Sequence, residues 1–290
     1  MAIKTILVAA SGTEQSRSTL DVGLMVAAHL KSHVDIIHVK VDPLAALPAL
    51  GDSMTTQIAD EITGTLSKEA SQRAETAKLL FEACCKDQKI PVVTETPPVG
   101  EASASWIEQV GRPDIIVSRR ARTADLLVVG KPTFKAKLQT SGTAQAGLLE
   151  TGRPVLVAPS ETPTTIGKRI AIAWNGSAEA SRAVAAATNF FGGADKITVL
   201  TAESERTPAA VAQQLADYLA CHGIEAETKI FARMGGQHLG GKALLQACEE
   251  IDADLLVMGA FVAAGMRELI LGNATQHVLS HAKLPVLMGH

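Results

Sequence analysis

Two stretches of this chain set glycine beside short polar side chains, an arrangement that frees backbone amides to hold anionic oxygens. One is NGSAEAS (Asn175–Ser181), which follows the apolar run RIAIAW. The other is MGAFVAAGMRELILGNAT (Met258–Thr275), which has Gly259 near its start and Gly272 near its end. Glycine allows a tight turn in each, and Ser177, Asn273 and Thr275 supply polar groups for phosphate oxygens. A third stretch, GGQHLGGKA (Gly235–Ala243), satisfies most of the phosphate-loop pattern G-x-x-x-x-G-K-[ST] through Gly236, Gly241 and Lys242. Ala243 replaces the hydroxyl that would hold Mg²⁺, and Asp254 opens the next apolar run where a magnesium-binding Asp would close it. A flexible glycine turn before a helix is therefore expected there. If Lys242 reached the same region, it would help hold phosphates without making this a P-loop enzyme.

Other reactive residues form no set. His277 and His281 stand at i and i+4 and share a helix face, but HVLSH lacks the glutamate of H-E-x-x-H and no further zinc ligands accompany it. Cys84, Cys85, Cys221 and Cys248 form no C-x-x-C pair, so free thiols are expected, not a metal or redox centre. No serine is flanked as G-x-S-x-G, and no nucleophile, base and acid can be grouped. Trp174, at the end of its strand, is expected in the core more than as a stacking platform. The sequence names no catalytic base.

Elements must position these loops, and the chain writes them twice. KTILVAASGTEQSR (Lys4–Arg17) resembles KRIAIAWNGSAEASR (Lys168–Arg182), ADLLVVG (Ala124–Gly130) returns as ADLLVMG (Ala253–Gly259), and RPVLVAP (Arg153–Pro159) returns as LPVLMGH (Leu284–His290). Three matches in the same order indicate a duplicated domain. The break falls in SETPTTIGK (Ser160–Lys168), giving domains over 1–160 and 167–290. Within each, short apolar runs alternate with helical stretches of ten residues or more, which predicts βαβ units and a parallel sheet covered on both faces. With aromatics at only 3%, the core must be aliphatic, which suits buried parallel strands. In the first half, VDPLAALPALGDSM (Val41–Met54) is expected as loop, and the stretch from Thr55 to Cys85 as one long helix serving as packing surface.

A net charge of −3 carries no basic footprint, so nucleic acid is not an expected partner. The opening MAIKTILVAASG holds too short an apolar run for a signal peptide, and no uncharged stretch of about 18 apolar residues occurs. Neither export nor a bilayer span is expected, and the cytoplasm is the expected location.

In a doubly wound sheet, ligands bind beyond the carboxyl ends of the strands, where the strand order switches. The loops after the first and fourth strands meet there, and in the second half these are NGSAEAS and the Met258–Thr275 stretch. With the AWNGS start, ADLLVMG before a glycine loop and the closing LPVLM strand, the chain resembles the universal stress protein family, over nearly its whole length as two tandem copies. HVKVDPLAALPALGDSM is similar to the first half of bacterial tandem-domain members.

The resemblance implies an α/β fold of two tandem doubly wound domains, each a five-stranded parallel sheet flanked by helices. It places the fold in the adenine-nucleotide α-hydrolase-like group. It further implies pairing through the last strand, a homodimer, a role in stress response, and ATP with Mg²⁺ in some members only. ATP-binding members place after the fourth strand a glycine, two residues, a second glycine, nine residues, then Gly-Ser or Gly-Thr. Laid on the second half, that pattern starts at Gly259 and ends at Gly272, but Val262 stands at the inner glycine and Asn273 at the hydroxyl, with Thr275 two positions on. A β-branched residue disfavours positive φ, although Gly265 could shift the turn. Asn175 stands where an acidic residue is common. The resemblance thus assigns a nucleotide to Asn175, Gly176, Ser177, Met258, Gly259, Gly272, Asn273 and Thr275. The first half departs further: Lys131, Pro132, Phe134 and Lys135 replace small residues, Gly142 arrives one residue early, and Ser11 stands at the acidic position. Lys131, Lys135 and Lys137 are expected as a solvated basic loop. The alternative is a scaffold that binds no nucleotide and acts through protein–protein contacts, and Val262 separates the two.

Overall fold

The computed structural model describes residues 2–13, 16–42, 56–95, 97, 99–132, 140–202, 210–232, 239–260, 262–263 and 270–290. The first half runs β1 (Thr5–Ala10), α1 (Ser16–Leu30), β2 (His33–Val41), α2 (Thr56–Asp87), β3 (Ser103–Gly111), α3 (Pro113–Ala121), β4 (Leu126–Gly130), α4 (Thr140–Glu150) and β5 (Val155–Ala158). The second half runs β6 (Arg169–Ala173), α5 (Ala178–Phe191), β7 (Lys196–Ala202), α6 (Ala210–Cys221), β8 (Glu227–Phe231), α7 (Leu239–Glu250) and β9 (Leu255–Gly259). It ends with β10 (Val262–Ala263), β11 (Ile270–Leu271), α8 (Asn273–His281) and β12 (Val286–Gly289).

Ten strands form one sheet in the order β3-β2-β1-β4-β5-β12-β9-β6-β7-β8. Each half has five parallel strands, with the first strand of the half between its second and fourth. This is the doubly wound α/β architecture predicted from the alternation. The halves meet where β5 and β12 pair antiparallel, with Leu156 opposite Leu287, so the last strands join as expected. Pairing them inside the chain covers two edges that would otherwise be open to aggregation.

Strand alternation sends side chains to both faces, and both are buried. Ile6, Val8, Ile170 and Ile172 face one apolar cluster, while Leu7, Val129, Ala171 and Met258 face the other. The first cluster runs without a break across both halves, from Leu20 and Leu24 of α1 to Phe190 of α5. His29 stacks on Phe190, and Asn189 Oδ1 accepts from the Ile3 amide at 3.0 Å.

Two aspartates show how the duplication is built. Asp125, just before β4, accepts the amides of Lys4 and Thr5 at 2.9 and 3.0 Å. Asp254, just before β9, accepts those of Lys168 and Arg169 at 3.1 and 2.8 Å. Each carboxylate ties the start of its half's fourth strand to the start of the first. Asp254 is thus an anchor at the amino edge of the sheet.

Three sequence expectations gain detail. The long helix is present as α2, beginning at Thr56, while residues 43–55 lie outside the described set. Of GGQHLGGKA, where a glycine turn was expected, residues 235–238 lie outside the described set, and Leu239, Gly240 and Gly241 already belong to α7. A Cβ on Gly241 would lie 2.8 Å from both the Ala274 carbonyl oxygen and His277 Cβ, so this glycine lets α7 close on α8. The short β10–β11 hairpin, Val262 opposite Leu271, was not predicted. Cys84, Cys85 and Cys248 are buried and Cys221 is exposed, all as free thiols.

Candidate functional site

In the second half, Gly176 takes a φ of +75°, and this turns the chain from β6 into α5. Asn175 Oδ1 accepts the Ser177 amide at 3.0 Å, and Ser177 Oγ accepts the Ala180 amide at 3.2 Å as N-cap of α5. Both side-chain acceptors therefore serve the turn itself. Gly259 comes against the same helix: a Cβ there would sit 2.6 Å from the Ala180 amide nitrogen and 2.8 Å from the Glu179 carbonyl carbon. The structure thus brings Asn175, Gly176, Ser177 and Gly259 together around the first turn of α5. Met258 points its side chain into the core.

The chain beyond Gly259 folds back on itself. Val262 pairs with Leu271 and Ala263 with Ile270, which returns the backbone to Gly272. A residue paired in a ladder has extended backbone, so a β-branched residue suits position 262 without positive φ. The inner glycine of the family pattern is replaced here by a different local path. Residues 261 and 264–269, including Gly265, and the side chain of Val262 lie outside the described set.

Gly272 is the N-cap of α8 and, as a glycine, offers no side-chain cap. Asn273 is exposed, while Thr275 is only 1% exposed beneath the first turn. His277 and His281 stack with ring centres 4.1 Å apart, and His281 Nδ1 donates to the His277 carbonyl oxygen. This is a helix-face pair, as the spacing indicated. Trp174 is half-buried and donates from Nε1 to the Val211 carbonyl oxygen at 3.0 Å, tying α6 to the end of β6.

In the first half, the equivalent position holds a cavity of about 210 Å³. Its walls come from the carboxyl ends of β1, β2 and β4 and from the inner face of α2, among them Ala9, Ile37, Val39, Leu66, Ala70 and Val129. Gly12, with φ +73°, matches Gly176 in the duplication and packs directly against the backbone of α2 at Arg73. The hydroxyl of Ser11 bonds those of Thr13 and Ser16 at 2.9 and 2.8 Å. Lys131 reaches from the rim to the Ala282 carbonyl oxygen at 3.2 Å, and burial lowers the pKa of its ammonium. Lys135 and Lys137 lie outside the described residues.

His38 is the residue sequence reasoning missed. It is 3% exposed, lines the cavity and stacks on Trp106, which in turn stacks on Phe81. Its Nδ1 lies 2.8 Å from the Ala10 carbonyl oxygen, which can only accept, so the proton sits on Nδ1. Burial lowers its pKa despite that bond, so the ring is neutral at pH 7 and Nε2 is an acceptor. A polar ring inside the apolar strand HVDIIHVKV was the available sign.

Strands, switch points and glycine turns define a doubly wound α/β protein with glycine-bearing loops at the carboxyl edge of each half. Residues 167–290 match the universal stress protein family and form a domain of that family. The whole chain is similar in fold to a universal stress protein from Archaeoglobus fulgidus DSM 4304, at 17% identity and a TM-score of 0.66, over 98% of this chain and 97% of that one. It is also similar to a functionally unknown protein from Pseudomonas aeruginosa PAO1, at 17% identity and a TM-score of 0.56, over 99% and 92% of the two chains. No curated protein matches the chain. Among the described residues, no helix is long and apolar enough to cross a membrane.

Proposed function

We propose that the chain is a stress-response protein whose second domain, 167–290, holds ATP or a related adenine nucleotide with Mg²⁺, while the first domain, 1–160, carries a degenerate loop. The reading rests on one geometric observation beside the family match. Helix α8 starts at Gly272, an N-cap residue with no side chain to cap it, directly after the hairpin that follows the fourth strand of its half. Uncapped amides at a helix start favour anionic oxygens. Gly272 and Asn273 then face the phosphates, with Thr275 beneath them. Asn175, Gly176 and Ser177 border the ribose and phosphates, and Met258 and Gly259 contribute backbone. Hydrolysis is at most slow, because no base stands in this set.

In this reading the protein works in the cytoplasm as a homodimer. Since β5 and β12 already pair within the chain, the dimer uses another surface. Calorimetric titration of the full chain with ATP and Mg²⁺ tests the proposal. Saturable heat is expected, abolished by Gly272→Val and retained by Lys131→Ala. Loss of binding in the Lys131 variant alone would overturn the choice of half.

One observation favours the scaffold reading instead: Asn175 and Ser177 already spend their side-chain acceptors on the turn and cap. A titration without heat in the folded protein would select it.

A further inference from the structure

The cavity in the first half has a chemistry unlike that of a nucleotide site. Its walls between β1, β2, β4 and α2 are largely aliphatic. Each cation on its lining already has a partner: Lys40 pairs with Glu108 at 2.8 Å, Arg73 with Glu69 at 3.7 Å, and Lys131 binds the Ala282 carbonyl oxygen. The Glu69 carboxylate is itself on the lining and would repel phosphate. The polar group that fits a ligand is His38. Its Nδ1 is fixed on Ala10, so the second ring nitrogen, Nε2, is the one left to meet a ligand in the cavity. A neutral imidazole acceptor on an apolar wall favours a ligand that donates one hydrogen bond to it.

We propose that this cavity binds an uncharged aliphatic molecule carrying one hydrogen-bond donor, such as a primary alcohol, with its chain along β2 and α2 and its donor on His38 Nε2. A dry apolar cavity of about 150 Å³ admits benzene, so this volume accepts a somewhat larger body. The site is separate from the nucleotide reading of the second half. It stands or falls without it.

The test is a titration of isotopically labelled full-length protein with 1-hexanol, followed by methyl and imidazole nitrogen resonances. Saturable shifts are expected at Ile37, Val39 and Val129 and at His38 Nε2, with Val199 and Leu256 of the second half unmoved. Ala70→Leu, which fills the space from α2, is expected to weaken binding at least tenfold. His38→Phe keeps the ring volume and is expected to weaken 1-hexanol several-fold while leaving toluene unchanged. Hexanoate at pH 8 is expected to bind more weakly than the alcohol. Two variants keep the test decisive if one of them fails to fold, as judged by its melting curve. Shifts that grow linearly without saturation, unchanged affinity in a folded variant, or saturation of the same methyls by ATP and Mg²⁺ would each overturn the proposal. ATP that shifts only second-half resonances leaves it standing.

Discussion

The two halves share a strand order yet close their carboxyl edges in opposite ways. In the first half, α2 presses its backbone onto Gly12 at the end of β1, while among the described residues Gly130 at the end of β4 meets only the Thr19 hydroxyl, 2.8 Å from where a Cβ would stand. In the second half, among the described residues Gly176 has only the Val211 side chain at an ordinary 3.4 Å, while Gly259 is pressed against the backbone of α5. The first half is tight after its first strand and looser after its fourth; the second half is the reverse. A duplicated sequence can thus keep its sheet and still present two different rims. Which end is tight decides where space for a ligand is left.

Glycine substitutions turn this contrast into measurements of stability. The largest loss is expected for Gly12→Ala, about 4 kcal/mol, because a side chain there combines a left-handed backbone with a backbone collision. Gly176→Ala has the backbone strain alone and should lose about 1 kcal/mol. Urea unfolding of both variants checks the ratio, and equal losses would break the comparison at this end. Next comes the fourth-strand pair. Gly259→Ala is expected to lose about 3 kcal/mol and Gly130→Ala about 1 kcal/mol, since the Thr19 side chain can turn away and the α5 backbone cannot. Reversal of that order would show that the rims are not arranged as described.

The smallest effect concerns the matched aspartates. Partial burial pushes the Asp125 pKa up, but the amides of Lys4 and Thr5, the Thr5 hydroxyl and the charge of Arg153 together pull it below the ordinary carboxylate value. Its contribution to stability is therefore complete above the unfolded pKa of about 3.9 and lost as pH falls through the lower folded pKa. Asp125→Asn should unfold more easily than the parent at pH 7, with the difference shrinking in the acid range. Asp254→Asn should lose more at pH 7, because that carboxylate is buried and also accepts the Thr165 hydroxyl at 2.6 Å. Denaturation midpoints across pH would show both trends.

Much of the architecture was legible in the residues. Repeated ADLLV(V/M)G and K(T/R)I runs located the matching strands, and their uninterrupted apolar character fits strands buried on both faces. The positive-φ turn at Gly176 and the Ser177 cap follow from NGS read as strand, turn and helix start. The site was less legible, for two physical reasons. Val262 could be judged only against a glycine pattern that presumes a turn, and pairing with Leu271 supplies an extended path instead. The first-half cavity depends on where a 32-residue helix lies. Amphipathic spacing says that α2 packs, but not that Leu66 and Ala70 stop short of β2 and leave room beside His38.

Antiparallel joining of β5 and β12 has a consequence for communication within the molecule. Because the halves run in opposite directions, the carboxyl rims of their strands lie on opposite margins of one plate. Helix α8 touches both: it begins at Gly272 on one margin, and the carbonyl oxygen of Ala282, its C-cap, takes the Lys131 ammonium on the other. Nine residues at about 1.5 Å each make a rod of roughly 14 Å. Any axial shift of that rod is felt at both margins at once.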